Sequence, residues 1–585
     1  MRASPLFVLV LTGLALLGQT APPHTFRQWM GGQEVGGSTL ETKLDGQVRE
    51  VRSREWMVLS RMGQEIRQEV LEIARKSPEG QLTFTWRLQL SSEPFEGRAE
   101  WSPLEPGVLT IQPTHGAAVR KEVPTGALLW PEDLESRLKE AARTGKAVRA
   151  TTFSFPVQQW STLHLEPQGA APIPGFPDTV RFTGEEQDGP ATVPVEVWIS
   201  PTAGEVRQRT ELGGLELLTQ RSELAAPFPD QGPGEGFFER TLQTLPPNPF
   251  QPWIKDLVLR ADGPLPSLPE DAQQTQFSKG RWRLRQASSP TPEEAAQLPV
   301  KGTPSPDEAR FLAPSPLIQF QDPAFDGLLR RMALSPGLSR WEIARRVNTF
   351  VFEWITEKDF TVGFASALEV CHHPRGDCTE HGVLAVALLR RLGVPARGVT
   401  GWVGLGEVLG LHFWVEVRLK DRWVPIDPTF DQAPASALRI KLGDTDLADL
   451  GSVGWEGAAL AFTGVKWLPE QPGRITCLGD LVTGPGHIQL RLPGGRWTLQ
   501  HDALRLQTPT GGPWQVQAVN RPSESQLKGA SHLAGARTLR HGWRNPASRA
   551  FWMDLGEGRW IQLDGVSEAE AYDLLDQLMV ATSSS

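Results

Sequence analysis

The sequence predicts an α+β protein in which a chemically informative α+β unit lies between a large β-rich domain and a smaller β-rich or mixed C-terminal region. Three observations carry that reading. Residues 22–225 hold alternating or β-branched runs such as LTFTWRLQL (82–90), AVRATTFSF (147–155) and VPVEVWIS (193–200), punctuated by Gly and Pro clusters. Residues 339–392 carry helix starts, helical apolar spacing and a helix stop. Residues 411–427 read as a β-hairpin. At about 150 residues per domain, 585 residues leave room for roughly three to four domains.

Composition narrows the function. Lys plus Arg total 59 against 68 Asp plus Glu, a formal charge of −9. A nucleic-acid binder working by broad electrostatics needs the opposite sign, so nucleic acid is not expected as a partner. Charged residues at 22% and apolar ones at 39% suit ordinary globular domains. With 3 Cys, a dense disulfide scaffold and a four-cysteine zinc site are both excluded. The patterns G-x-x-x-x-G-K-[ST], H-E-x-x-H and G-x-S-x-G are absent, and Leu409 occupies the third Gly position of the run Gly404–Gly410, which reads as a loop beside the site. Adjacent His372 and His373 point in different directions in regular structure. No cofactor and no metal is called for.

In chain order, Met1-Arg2, the apolar run Leu6–Leu17 and the small residues ending at Ala21 have the layout of a secretory signal peptide over residues 1–21. The run is short for a membrane span, which takes about 20 residues; the alternative is an uncleaved N-terminal anchor. Export to the periplasm, cell envelope or exterior is therefore expected, with no stable membrane span after the signal. Residues 22–225 are expected to form a large, curved antiparallel sheet interrupted by two polar helices, Arg61 to Lys76 and Trp130 to Thr144, the second opening with Pro131 and acids. Residues 226–316 are dense in Pro and read as a linker or extended wrapping segment, although WIKDLVLRAD and KGRWRLRQ have strand character. The α+β unit covers 317–445. Residues 446–585 mix β-like pieces (HIQLRLPGGRWTLQHDALRL, RWIQLDG) with a terminal helix, SEAEAYDLLDQLM.

The chemistry lies in 339–430. Ser339 and Glu342 form the S-x-x-E capping pattern ahead of a helix with an apolar face at Ile343, Val347, Phe350, Val351 and Trp354. In GDCTEHGVLAVALLRRLGVPAR (376–397), Val383, Leu384, Ala387, Leu388 and Leu392 recur at helical spacing, and Gly393 and Pro395 end the helix. Cys378 thus lies at a helix N-terminus, where unpaired N–H groups stabilise a thiolate. In LHFWVEVRLKDRWVPID (411–427), Phe413, Val415, Val417 and Leu419 share one strand face, and His412, Trp414, Glu416 and Arg418 the other. A two-residue turn at Lys420-Asp421 sets Leu419 opposite Arg422, and then places Asp427 opposite Trp414, diagonal to His412 and on its face. Pro425 is a candidate bulge position. A thiol at a helix start, an imidazole and a carboxylate to orient it are the parts of an activated nucleophile.

These residues carry a resemblance. GDCTEH, ALLRRLGVPARGVTGWV, LHFWVEV, WVPIDPTFDQ and the trailing RIKLGDTDLADLG are similar, in that order, to the transglutaminase-like superfamily, in its bacterial exported branch. The resemblance implies a papain-like core, with a helix-borne Cys packed on an antiparallel sheet that carries His and Asp, and a catalytic triad of Cys378, His412 and Asp427. It implies a cysteine acyltransferase or a cysteine peptidase or amidase acting on protein or peptide substrates. The alternative is a catalytically silent papain-like scaffold serving as an envelope binding or structural protein. Phe413 departs from the small residue or Met usual after the His, and is expected to narrow the pocket without touching the triad. Glu380 and His381 match the motif beside the Cys, and either tune the site or cap the first helical turn. Asp377 reads as a turn or N-cap residue. Cys371 and Cys477 read as buried thiols or as each other's disulfide partners. The Cys378 backbone N–H is the one oxyanion donor the sequence names.

Overall fold

Alternation does in the first region what it predicts. Along Leu82–Gln89 the side chains of Leu82, Phe84, Trp86 and Leu88 are buried while those between them are not. In the computed structural model of the chain, the described residues run from 24 to 582, with breaks in the description of which the longest are 223–241, 246–253, 449–465 and 470–475. The expected signal segment, residues 1–21, lies outside them. Among the described residues, no helix is long and apolar enough to cross a membrane. The fold is mixed and strand-rich.

A 14-stranded antiparallel sheet fills the N-terminal region. It consists of two meanders joined where the first strand, His24–Met30, pairs with the last, Leu215–Ser222. The sheet curls on itself: Phe84 of one meander stacks on Phe155, just past a strand of the other, with ring centroids 4.1 Å apart. Of the two helices expected here, one forms. Pro131–Thr144 starts with Pro in its first turn and stops at Gly145, which takes φ 66°, a left-handed conformation that glycine adopts without a Cβ clash. Its Leu134, Leu138, Ala141 and Ala142 pack on Val148, Leu163, Phe182 and Val195 of the sheet. The other expected helix, Arg61 to Lys76, is instead the strand Gln64–Lys76. Its buried residues Ile66, Val70 and Ala74 are four apart. That spacing fits one face of a helix and equally one face of a strand, and pairing with Val48–Arg61 along its whole length decides for the strand.

The sheet and the α+β unit share one core. Met57, Leu59, Ile66, Val70 and Leu88 belong to the same buried cluster as Phe364, Leu368, Val383 and Val415. A polar clamp joins the two as well. The buried carboxylate of Glu369 accepts the Ser91 hydroxyl at 2.6 Å and the Ser92 backbone N–H at 3.0 Å, and also takes the Ser92 hydroxyl.

In the α+β unit, the helices Arg340–Trp354 and Cys378–Arg391 pack against a five-stranded antiparallel sheet. The strand Val408–Leu419 runs beside Ala396–Leu405, which pairs in turn with Arg439–Thr445. On its far side it pairs with Arg422–Ile426 and, near its start, with Gln243–Thr244. The hairpin has the expected register, Leu419 with Arg422 through Val415 with Ile426. Pro425 causes no bulge; it stands opposite Glu416 on the outer strand, where a missing N–H is tolerated. The stretch expected as a loop at 404–410 is mostly strand, with Leu405 opposite Val408 and the intervening 406–407 outside the described residues.

The Pro-rich stretch holds folded strands. Asp256–Asp262, Gln274–Ser278 and Arg281–Arg285 form a four-stranded sheet with Lys466–Pro469. Further on, the stretch wraps the α+β unit, with Val300 N–H bonded to Gly393 and the Phe311 ring against Trp423 at 4.7 Å. Beyond residue 475, four-stranded and seven-stranded sheets follow, and the expected terminal helix is Glu568–Gln577.

Candidate active site

Local sequence sets the start of the Cys378 helix. Asp377 is its N-cap, accepting the Thr379 N–H at 2.9 Å, and Glu380 reaches back to the Asp377 N–H at 2.9 Å, a full capping box. Glu380 also accepts the Ala365 N–H at 3.0 Å. Glu380 therefore caps the first turn and ties it to the preceding segment. Burial and the neighbouring Asp377 push its carboxyl up to about 8, against the donors that hold it. His381 is buried, with Nδ1 2.5 Å from the Asp377 carbonyl oxygen. Cys378 is the first residue of the helix and is buried.

His412 and Asp427 meet directly. His412 Nε2 lies 2.8 Å from Asp427 Oδ2, and the two residues are 3% and 0% exposed. Asp427 caps the hairpin strand and opens a tight turn closed by two backbone bonds, Asp427 N–H to Gln432 O at 2.8 Å and Gln432 N–H to Asp427 O at 3.0 Å. Its Oδ1 accepts the Thr429 N–H at 3.0 Å. Arg439, on the strand Arg439–Thr445, donates from Nη2 to Asp427 Oδ2 at 2.5 Å. Burial by itself raises a carboxyl, but the charges of His412 and Arg439 and their hydrogen bonds outweigh it and hold Asp427 below the ordinary carboxylate range. An ionised acid bonded to Nε2 fixes the ring orientation and leaves Nδ1 free of that bond.

The same strand face carries further paired charges. Glu416 bonds Lys441 at 3.0 Å and Arg397 at 2.6 Å, and Lys441 reaches Asp271 at 3.2 Å. Each buried charge here has a partner of opposite sign, which is the condition for keeping charges out of water. The opposite face is apolar. The Phe413 ring sits between the Cys378 helix and the sheet: a Cβ on Gly382 or on Gly398 would come within 2.3 Å of ring atoms of Phe413. Phe413 therefore does not narrow a pocket beside His412. It fills the core on the other side of the strand, and two glycines make room for it.

Cys371 and Cys477 are both free thiols, so they are not each other's disulfide partners. Burial pushes the Cys371 thiol up to about 11 and also raises Cys477. Among the described residues, no group of three or more His, Cys, Asp or Glu could hold a metal ion.

Residues 330–428, which contain Cys378, His412 and Asp427, match the transglutaminase-like superfamily. The chain carries a transglutaminase-like domain. Among curated proteins, no relative matches the chain. Similar solved structures include three that follow. A β-barrel-like protein of a domain of unknown function from Brucella abortus is 12% identical, with 35% of this chain and 98% of that one covered at a TM-score of 0.28. A candidate cysteine protease from Cytophaga hutchinsonii is 16% identical, with 37% and 81% covered at a TM-score of 0.23. A candidate protease from Parabacteroides distasonis is 11% identical, with 90% and 92% covered at a TM-score of 0.14.

Two residues of the transglutaminase-like domain's surroundings escaped sequence reasoning. Arg439 had a readable signal: Arg439 and Lys441 alternate with the apolar Ile440 and Leu442, so a buried strand presents two cations on one face and requires acids opposite. Phe430, whose ring lies 5.1 Å from that of His412 at 27°, had none, because a turn residue follows no period.

Proposed function

We propose that the chain is an exported cysteine enzyme that performs acyl transfer or hydrolysis at amide bonds of protein or peptide substrates, with Cys378, His412 and Asp427 as its triad. The observation that carries this reading is the buried 2.8 Å contact of His412 Nε2 with the ionised Asp427, in a domain whose helix begins at Cys378. Asp427 orients the ring and stabilises its charged form; His412 Nδ1 takes the thiol proton. The Cys378 sulfur attacks the amide carbonyl carbon, and the Cys378 N–H faces the developing oxyanion. As the C–N bond breaks, the imidazolium returns its proton to the leaving nitrogen. The thioester then passes its acyl group to water or to an amine, whose proton goes to His412. The leader-like residues 1–21 support action outside the cytoplasm.

The test is the rate of Cys378 alkylation by iodoacetamide against pH, read by peptide mass spectrometry, with Cys371 and Cys477 as internal controls. The expected midpoint lies well below the free-thiol value of about 8.5 and moves upward in His412→Ala. A midpoint at the ordinary value that the substitution leaves unchanged overturns the reading.

A further inference from the structure

Where the strand Gly511–Val519 of the C-terminal seven-stranded sheet ends, the chain delivers Asn520 and Arg521 to the turn that carries Asp427. Arg521 Nη1 donates to Asp431 Oδ2 at 2.8 Å, and its Nη2 bonds Glu353 Oε1 at 2.5 Å. The guanidinium also lies over the Phe352 ring, 5.4 Å from its centroid. The other oxygen of Asp431 accepts Asn348 Nδ2 at 3.1 Å and Thr349 Oγ1 at 2.7 Å. Asp431 has φ 52°, the left-handed region that a non-glycine residue holds at a cost, so these bonds keep it in a conformation the backbone alone disfavours. Beside it, Gln432 Nε2 donates to Asn520 Oδ1 at 2.6 Å.

From these two anchors, two short routes reach the two members of the His412–Asp427 pair. The first runs from Arg521 through Asp431 to its neighbour Phe430, whose ring stacks on His412. The second runs from Asn520 through Gln432, whose Oε1 accepts Arg439 Nη2 at 2.9 Å, the nitrogen that also donates to Asp427 Oδ2. We infer that Asn520 and Arg521 are positioning residues: the C-terminal region holds the 427–432 turn so that Phe430 and Arg439 fix the His412 ring and the Asp427 carboxylate, and the state of the Cys378–His412 couple depends on that docking. The inference rests on the triad reading above. It makes the C-terminal region part of the site's support, and links a residue 90 positions from Asp431 in sequence, through that turn, to the orientation of the base.

The test uses the full chain and the Cys378 alkylation midpoint. In Arg521→Met combined with Asn520→Ala, the midpoint is expected to rise by roughly half a unit to one unit, because the imidazolium that stabilises the thiolate is less well held. Arg521→Lys, which keeps a cation beside Asp431, is expected to restore part of the shift. Placed in the His412→Ala background, the double substitution is expected to add nothing, because its effect passes through His412. An unchanged midpoint in a folded double variant, beside a depressed wild-type midpoint, overturns the positioning role and leaves the triad standing. An equal shift in the His412→Ala background also overturns it, since general loosening then accounts for the effect. A wild-type midpoint at the ordinary value overturns the triad, and this inference with it. If the double variant does not fold, Asn520→Ala alone keeps the Arg521 ion pairs and is expected to shift the midpoint in the same direction; no shift overturns the proposal.

Discussion

Asp427 and Glu380 are both completely buried carboxylates of the transglutaminase-like domain, yet their proton affinities move in opposite directions. Burial penalises the charge of each. Asp427 faces the His412 ring and the Arg439 guanidinium, and they hold it below the ordinary range. Glu380 faces backbone N–H groups, the Thr379 hydroxyl and another acid, Asp377, and is pushed up to about 8. The lesson is that burial sets the cost of a charge, while the sign of its nearest neighbours decides whether the charge persists. One carboxylate is built to stay ionised against the His412 ring. The other is built to cap a helix.

Three substitutions break or sharpen that contrast. The largest effect is expected at Asp427→Asn, which keeps the shape but removes the charge that holds the imidazole in its orientation. Amide turnover is expected to fall about 10³- to 10⁴-fold, by analogy with other orienting acids, measured as kcat/KM on a glutamine-containing peptide. A loss of less than tenfold breaks the claim that the charge of Asp427 matters. Next comes Arg439→Met, which removes the guanidinium and leaves Asp427 beside the His412 ring. The expected loss of stability is about 3–5 kcal/mol, the usual result of breaking a buried ion pair. The pH dependence should change too. A carboxyl held low in the fold stabilises it at and above the ordinary carboxylate range, and that contribution is lost as pH falls through the folded value. Without Arg439 the folded value rises, so acid unfolding followed by circular dichroism should begin at higher pH than in the wild type.

The smallest effect is expected at Glu380→Gln. Because Glu380 holds its proton up to about 8 in the fold but ionises near 4.5 when unfolded, it makes stability fall as pH rises between those values. Gln cannot ionise, so this slope should flatten. Its NH₂ group would also oppose one of the two backbone N–H donors, at a cost of about 1–3 kcal/mol. Urea unfolding at the two ends of the window checks both effects. An unchanged slope removes Glu380 as its source.

Local rules made much of the site legible. The capping box, the helix stop and the two-residue hairpin turn each depend on residues a few positions apart, so the position of Cys378 at a helix start and the register of the hairpin carrying His412 could be read directly. The same alternation already placed Phe413 on the face opposite His412, which is why the expectation that it narrows a pocket fails. The strand Gln64–Lys76 was misread because apolar residues four apart satisfy both periods, and only its long pairing with Val48–Arg61 chooses between them.

The sequence by itself determined the place and type of four elements: the curved sheet, the Cys378 helix, the His412 hairpin and the terminal helix. Only the tertiary structure decided that Arg439 stands beside Asp427, which ring stacks on His412, and that Asn520 and Arg521 reach the same turn. Those contacts join residues far apart in the chain, and no local period or cap encodes them. Strand pairing within the five-stranded sheet sets Arg439 beside Asp427, docking of the seven-stranded sheet brings in Asn520 and Arg521, and the cations beside Asp427 are what give it a proton affinity opposite to that of the equally buried Glu380.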